Sequence, residues 1–134
     1  MVTSLNNNAP VQDIGYKVEQ IIRATLGPNN VGGAAVVLGG IPPFAVVTGG
    51  QVTVNTAFNG TTPTVNVGYS DATSSNASAY ASAMAIAATG STLLDDVLLA
   101  SALPLSRATN VTATLPAAAG NTAGSCDVII KFVA

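Results

Sequence analysis

The stretch G-G-Q-V-T-V-N-T-A-F-N-G-T-T-P-T-V-N-V-G-Y-S-D, residues 49–71, carries the clearest conformational signal in the chain. Val52, Val54, Thr56 and Phe58 alternate with Thr53, Asn55 and Ala57. Val65, Val67 and Tyr69 then alternate with Thr64, Asn66 and Gly68. A period of two places one set on a buried face and the other on an open face, which is the pattern of a half-buried β-strand. Between the runs lies N-G-T-T-P, whose Asn59-Gly60 tolerates positive φ, so the expectation is a β-hairpin with its loop at 59–63.

Working outward, the same grammar recurs. Tyr16, Val18, Ile22, Ala24 and Leu26 share one face of an alternating segment, with Lys17, Glu19, Arg23 and Thr25 on the other. Val18, Ile21, Ile22 and Leu26 also fit helical spacing, and Gly27-Pro28 stops either structure. The apolar runs 34–38 and 44–47, separated by G-G-I-P-P and closed by T-G-G, are short enough for strands. In 77–88, A-S-A-Y-A-S-A-M-A-I-A-A, alanine favours a short helix, whereas Tyr80, Ser82, Met84 and Ile86 alternate strictly with alanines. A loop or short helical turn passing into a strand is expected there. Residues 106–115 and 125–133 are further strands. In the last of these, Cys126, Val128, Ile130 and Phe132 share a buried face, with Asp127 on the strand surface. Seven to nine short strands, with turn signals about every 8–12 residues, predict an all-β sandwich.

Composition narrows function further. The 134 residues hold only ten charged side chains and no histidine, 7% charged with a net charge of −2, against about 25% charged in an average domain. One domain is expected over residues 14–134, preceded by a polar, Asn-rich arm at 1–13. Lys17, Arg23, Arg107 and Lys131 are too few and dispersed for a nucleic-acid surface. No run of about 18 apolar residues marks a membrane span, although mean hydropathy is +0.50. The start, MVTSLNNNAP, lacks the features of a secretory signal, and classical secretion is not expected. An apolar surplus with so little surface charge favours assembly into something larger; the alternative is a monomer kept soluble by Thr, Ser and Asn.

Candidate sites are few. Cys126 is alone, and without histidine the Cys-His pairing of a nucleophile is unavailable, so packing is its expected role. Asp95 and Asp96 are adjacent and point to opposite faces of a strand, a poor arrangement for paired catalysis or chelation; Asp71 is expected to cap a turn. The glycine pairs at 32–33, 39–40 and 49–50 lack the helix and lysine of a phosphate loop. The sequons at Asn59, Asn76 and Asn110 support no glycosylation claim in so Asn-, Ser- and Thr-rich a chain. Aromatics are sparse and mostly expected in the core. No catalytic residue, metal ligand or cofactor site is expected, and the chain reads as a non-enzymatic structural or binding module.

Residues 49–71 resemble a hairpin of small structural proteins of tailed bacteriophages, in which alternating valines run into A-F-N-G-T-T-P and then T-V-x-V-G ending at Ser or Asp. The ending A-G-S-C-D-V-I-I-K-F-V-A, residues 123–134, is similar to the closing strand of the same proteins. Their Asp-rich segment after the turn is T-S-S-N-A-S-A here, residues 73–79. The resemblance implies a jelly-roll-like β-sandwich that decorates, or cements, a phage capsid as a homotrimer. The major capsid protein would be its partner and the virion capsid surface its location. On that reading the arm, with Asn6, Asn7, Asn8, Pro10 and Val11, makes the capsid contact and orders on binding. A tail or fibre-associated structural protein is the alternative, followed by a monomeric ligand-binding sandwich.

Overall fold

The computed structural model describes residues 19–94 and 107–133. The expected arm, Tyr16, Lys17, Asp95 and Asp96 lie outside the described residues. Among the described residues eight strands form the fold: β1 (Glu19–Leu26), β2 (Val36–Ile41), β3 (Val46–Thr56), β4 (Thr64–Ser70), β5 (Ser75–Ala85), β6 (Gly90–Leu93), β7 (Thr109–Thr114) and β8 (Ser125–Val133). They make two four-stranded antiparallel sheets, ordered β1-β8-β3-β6 and β2-β7-β4-β5. The result is the expected all-β sandwich, two sheets sharing one core.

The inward rows follow the alternation in the sequence. Cys126, Val128, Ile130 and Phe132 of β8, with Val47, Val52 and Val54 of β3, are buried against Val65 and Val67 of β4 and Val111 and Ala113 of β7. Burying each such side chain contributes roughly 1.5–3 kcal/mol, which is why a chain of small β-branched residues settles into this form. Tyr69 and Tyr80 pack as a tilted pair with centroids 6.3 Å apart.

Three local expectations change. The 59–63 loop does not join a hairpin, because β3 and β4 lie in different sheets and the chain crosses between them. Its turn residues are engaged by the loop before β8 instead. Asn59 Oδ1 accepts from the amides of Thr122 (2.8 Å) and Ala123 (3.1 Å), and the Gly60 amide donates to Asn121 Oδ1 (2.9 Å). The consecutive strands that do pair are β4 and β5, reversed at Asp71–Ser74.

The short helix within 77–88 is replaced by strand throughout β5, the pleated alternation winning over alanine's helix propensity because Tyr80 and Ile86 can then be buried. The strand is irregular. Its register against β4 shifts between Val65 and Val67 and again between Val67 and Tyr69, and Ala83 sits at φ 51° with its amide held by Asn66 Oδ1 at 2.6 Å. These are β-bulges, which bend an edge strand and spoil it as a template for pairing. Gly68 permits one of them: a Cβ there would collide with the Asn76 carbonyl and the Ala77 backbone.

Finally, T-G-G at 48–50 does not close a strand. It lies inside the 11-residue β3, with a bulge between Val47 and Gly49. The Ile129 carbonyl and the Leu94 side chain approach Gly50 too closely for any larger residue. The described part of the 18–26 segment, Glu19–Leu26, is a strand and not a helix, ended by a 3-10 turn at Pro28–Asn30 in which the Gly27 amide donates to Asn30 Oδ1 at 2.9 Å.

Candidate interaction surface

Among the described residues the groups capable of chemistry are dispersed. Cys126 is buried, and desolvation, reinforced by Asp127, pushes its thiol up to about 11, so it is not a thiolate at neutral pH. Asp71 caps its turn as expected: Oδ1 accepts from the amides of Thr73 and Ser74, both at 2.8 Å, and these bonds lower its pKa. Asn59 is likewise spent on Thr122 in the loop before β8, and Asn76 on the Ser78 amide of its own strand. No cluster of three or more His, Cys, Asp or Glu residues with metal-binding geometry occurs among the described residues. Nor does any described helix have the length and apolarity to cross a membrane.

Asp127 departs from expectation. The sequence predicts a strand-surface position, yet only 5% of the residue is exposed. Thr25 Oγ1 donates to Oδ1 and Arg23 Nη2 to Oδ2, each at 2.6 Å. Those two bonds, with Asn55 contributing less, hold the carboxyl below the ordinary aspartate range. The cover is shallow: the β1–β8 register sets Thr25 opposite Asp127 and Arg23 opposite Ile129 on the outer face, and the Arg23 side chain remains 64% exposed. The sequence signal was available in the alternation of Arg23 and Thr25 with the buried β1 residues, but pairing with β8 had to be known to use it.

Charge is therefore segregated. Glu19, Arg23, Asp127 and Lys131 all belong to β1 and β8 of one sheet and point away from the core, whereas β2, β7, β4 and β5 contain no charged residue. What the surface offers a partner is apolar. Ile21 and Leu93 project from the charged sheet and Val37 from the uncharged one, each more than half exposed. A groove of about 410 Å³ lies beside Leu93, lined by Gly49, Gly50, Gln51 and Lys131 among others.

The largest exposed apolar side chain that sequence reasoning missed is Phe44, 68% exposed. The other described aromatics, Phe58, Tyr69, Tyr80 and Phe132, are buried or packed against the core as expected. Phe44 sits at the β2–β3 crossover behind Pro42 and Pro43, at φ 64°, a region that bulky residues rarely adopt. The turn closes through the Ala45 amide on the Pro42 carbonyl at 3.4 Å. Beside it a shallow hollow of about 580 Å³ runs from Gly40–Pro42 to Ser70–Ala72 and Ala108–Asn110.

No family model and no curated protein matches the sequence. The fold, however, is shared with chains of three solved phage capsids. One belongs to the cyanophage Pam1 capsid asymmetric unit, with 21% identity over 93% of this chain and 90% of that one, and a TM-score of 0.63. Another is from the acidic-stable capsid of Helicobacter pylori bacteriophage KHP30, 18% identical over 89% and 90% of the two chains, TM-score 0.66. The third is from the capsid of Ralstonia phage GP4, 22% identical over 92% and 88%, TM-score 0.64. At these identities the likeness is one of fold, spanning about nine-tenths of each chain compared.

Proposed function

We propose that this chain is a structural protein of a bacteriophage virion that decorates and stabilises the capsid, bound to the major capsid protein at the shell surface as a homotrimer. The observation that carries the reading is the near end-to-end fold likeness to three phage-capsid chains. The absence of any assembled reactive cluster among the described residues is compatible with it.

Function on this reading is a free energy of association, not a rate. Removing apolar surface contributes roughly 25 cal/mol per Å², less the entropy of docking. Many copies clamping neighbouring capsomers add up through multivalency. The N-terminal arm, with Asn6, Asn7, Asn8, Pro10 and Val11, supplies the shell contact and orders as it binds.

Three measurements test this. Light scattering of the purified protein should give a trimer of about 40 kDa, three times the 13.2 kDa chain. Deleting residues 1–13 should leave that trimer folded but unable to attach to heads assembled without the protein; retained full occupancy removes the arm from the mechanism. Copy number per particle separates decoration from a tail role: decoration requires copies in proportion to shell subunits, and a few copies at one vertex would assign the chain to the tail.

A further inference from the structure

Three non-glycine residues among those described hold a left-handed backbone: Phe44, Thr62 and Ala83. Ala83 is explained by its bulge, where Asn66 grips its amide at 2.6 Å. Thr62 is a polar loop residue immediately before Pro63, in the crossover whose neighbouring Thr61 amide donates to the Ala119 carbonyl at 3.0 Å. Phe44 has no such account. Its ring is not withdrawn into the core to offset the conformation but held out in solvent, 68% exposed. A position that needs positive φ in an exposed turn would ordinarily carry Gly or Asn. The chain instead places there its one exposed aromatic among the described residues and stiffens the approach with two prolines.

Exposed aromatics on rigid supports have a recurring use. They enter a pocket on a partner as a central anchor, and the stiffness lowers the ordering cost on binding. The surroundings suit that use. Pro42 and Pro43 fix φ, the Ala45 amide closes the turn on the Pro42 carbonyl, and the adjacent hollow, with Asp71 as its one charged lining residue, leaves room for a partner's surface against Gly40–Pro42 and Ala108–Asn110. Resting on the decoration reading, we infer that Phe44 is a preorganised anchor that inserts into an apolar pocket on the capsid shell, a contact separate from the N-terminal arm.

The test uses Phe44→Gly, which removes the ring and relaxes the backbone, and Val37→Ser, which removes another exposed apolar group from the outer face of the uncharged sheet. Each full-length variant is compared with the parent for binding to heads assembled without the protein, for Tm and for mass in solution. The expected result is that Phe44→Gly keeps the parent's mass, keeps or raises Tm, and binds heads at least about tenfold more weakly, while Val37→Ser binds within about twofold. A ring held for fold stability predicts the opposite sign in Tm, and a lowered Tm overturns the inference. Parent-like binding by Phe44→Gly overturns it too. So does an altered mass, which would make a second copy the occupant. If the parent binds no heads, the decoration reading falls and takes the anchor with it; if the parent binds and Phe44→Gly binds equally, only the anchor falls.

Discussion

The two sheets share a core but manage their outer faces differently. The β1-β8-β3-β6 sheet carries charge and neutralises its one covered carboxylate with Arg23 and Thr25. The β2-β7-β4-β5 sheet carries none and is shaped by backbone irregularity, with β5 bulged over Gly68 and pinned by Asn66. In one case side-chain electrostatics organises the surface. In the other, the missing side chain of a glycine does. The energetic consequences differ accordingly, since a steric conflict with backbone cannot be screened, whereas a solvent-facing ion pair is weakened by water and salt.

The largest effect should therefore come from the uncharged sheet. Gly68→Ala forces a methyl group into the Asn76 carbonyl and Ala77 backbone, and we expect a loss of about 3 kcal/mol or a failure to fold, read by urea unfolding. A change under about 0.5 kcal/mol would mean that the β5 bulge can move aside.

Asp127→Asn probes the charged sheet. It should cost about 1 kcal/mol at neutral pH, a value discounted for the solvent around Arg23. The sign of its pH dependence is fixed by the lowered pKa. The native state holds the carboxylate more tightly than the unfolded chain, so the stabilisation is complete above the unfolded value of about 3.9. It is lost as pH falls through the lower native value. Unfolding scans from pH 7 down to pH 2 should show a shallower acid limb for Asp127→Asn than for the parent. Identical limbs would show that the ion pair does not contribute.

The smallest effect should be favourable. The Tyr80 hydroxyl is buried without a hydrogen-bond partner among the described residues, and burial, with a lesser contribution from Tyr69, pushes its pKa up to about 12. Tyr80→Phe removes the unpaired group while keeping the ring against Tyr69. A gain of about 1 kcal/mol is expected, seen as a rise of about 4 °C in Tm. A loss would mean that the hydroxyl has a partner, such as a buried water.

The sheets also differ in how legible they were. Alternation at 52–69 and 126–132 announced both the strands and their buried faces, because the period-two pattern is local. Pairing is not local. The turn at Asn59–Pro63 has hairpin chemistry, yet β8 occupies the place beside β3 that β4 would have taken, and β7 and β5 flank β4. For the same reason Asp127 read as an open surface residue: the side chains covering it come from a strand about a hundred residues earlier. In 77–88 two local rules competed, alanine propensity and alternation, and burial of Tyr80 and Ile86 decided between them. Phe44 opens the apolar run F-A-V-V, in which nothing marks the first residue as turned outward; the signal is the pair of prolines before it. Asp95, Asp96 and the arm at 1–13 fall outside the described residues.

Strand order also has a consequence for biosynthesis. β8 lies between β1 and β3, and β7 between β2 and β4, so the last two strands of the described residues fill inner positions in both sheets. Until residues 109–133 emerge, β1 has no partner beside it, β2 has none, and β3 and β4 each lack a neighbour. A nascent chain would therefore expose several unpaired valine-rich strands for most of its synthesis, the circumstance in which slow, non-local β pairing invites aggregation. Emergence of β7 and β8, and not that of any earlier hairpin, should be the event that commits this fold to its native state.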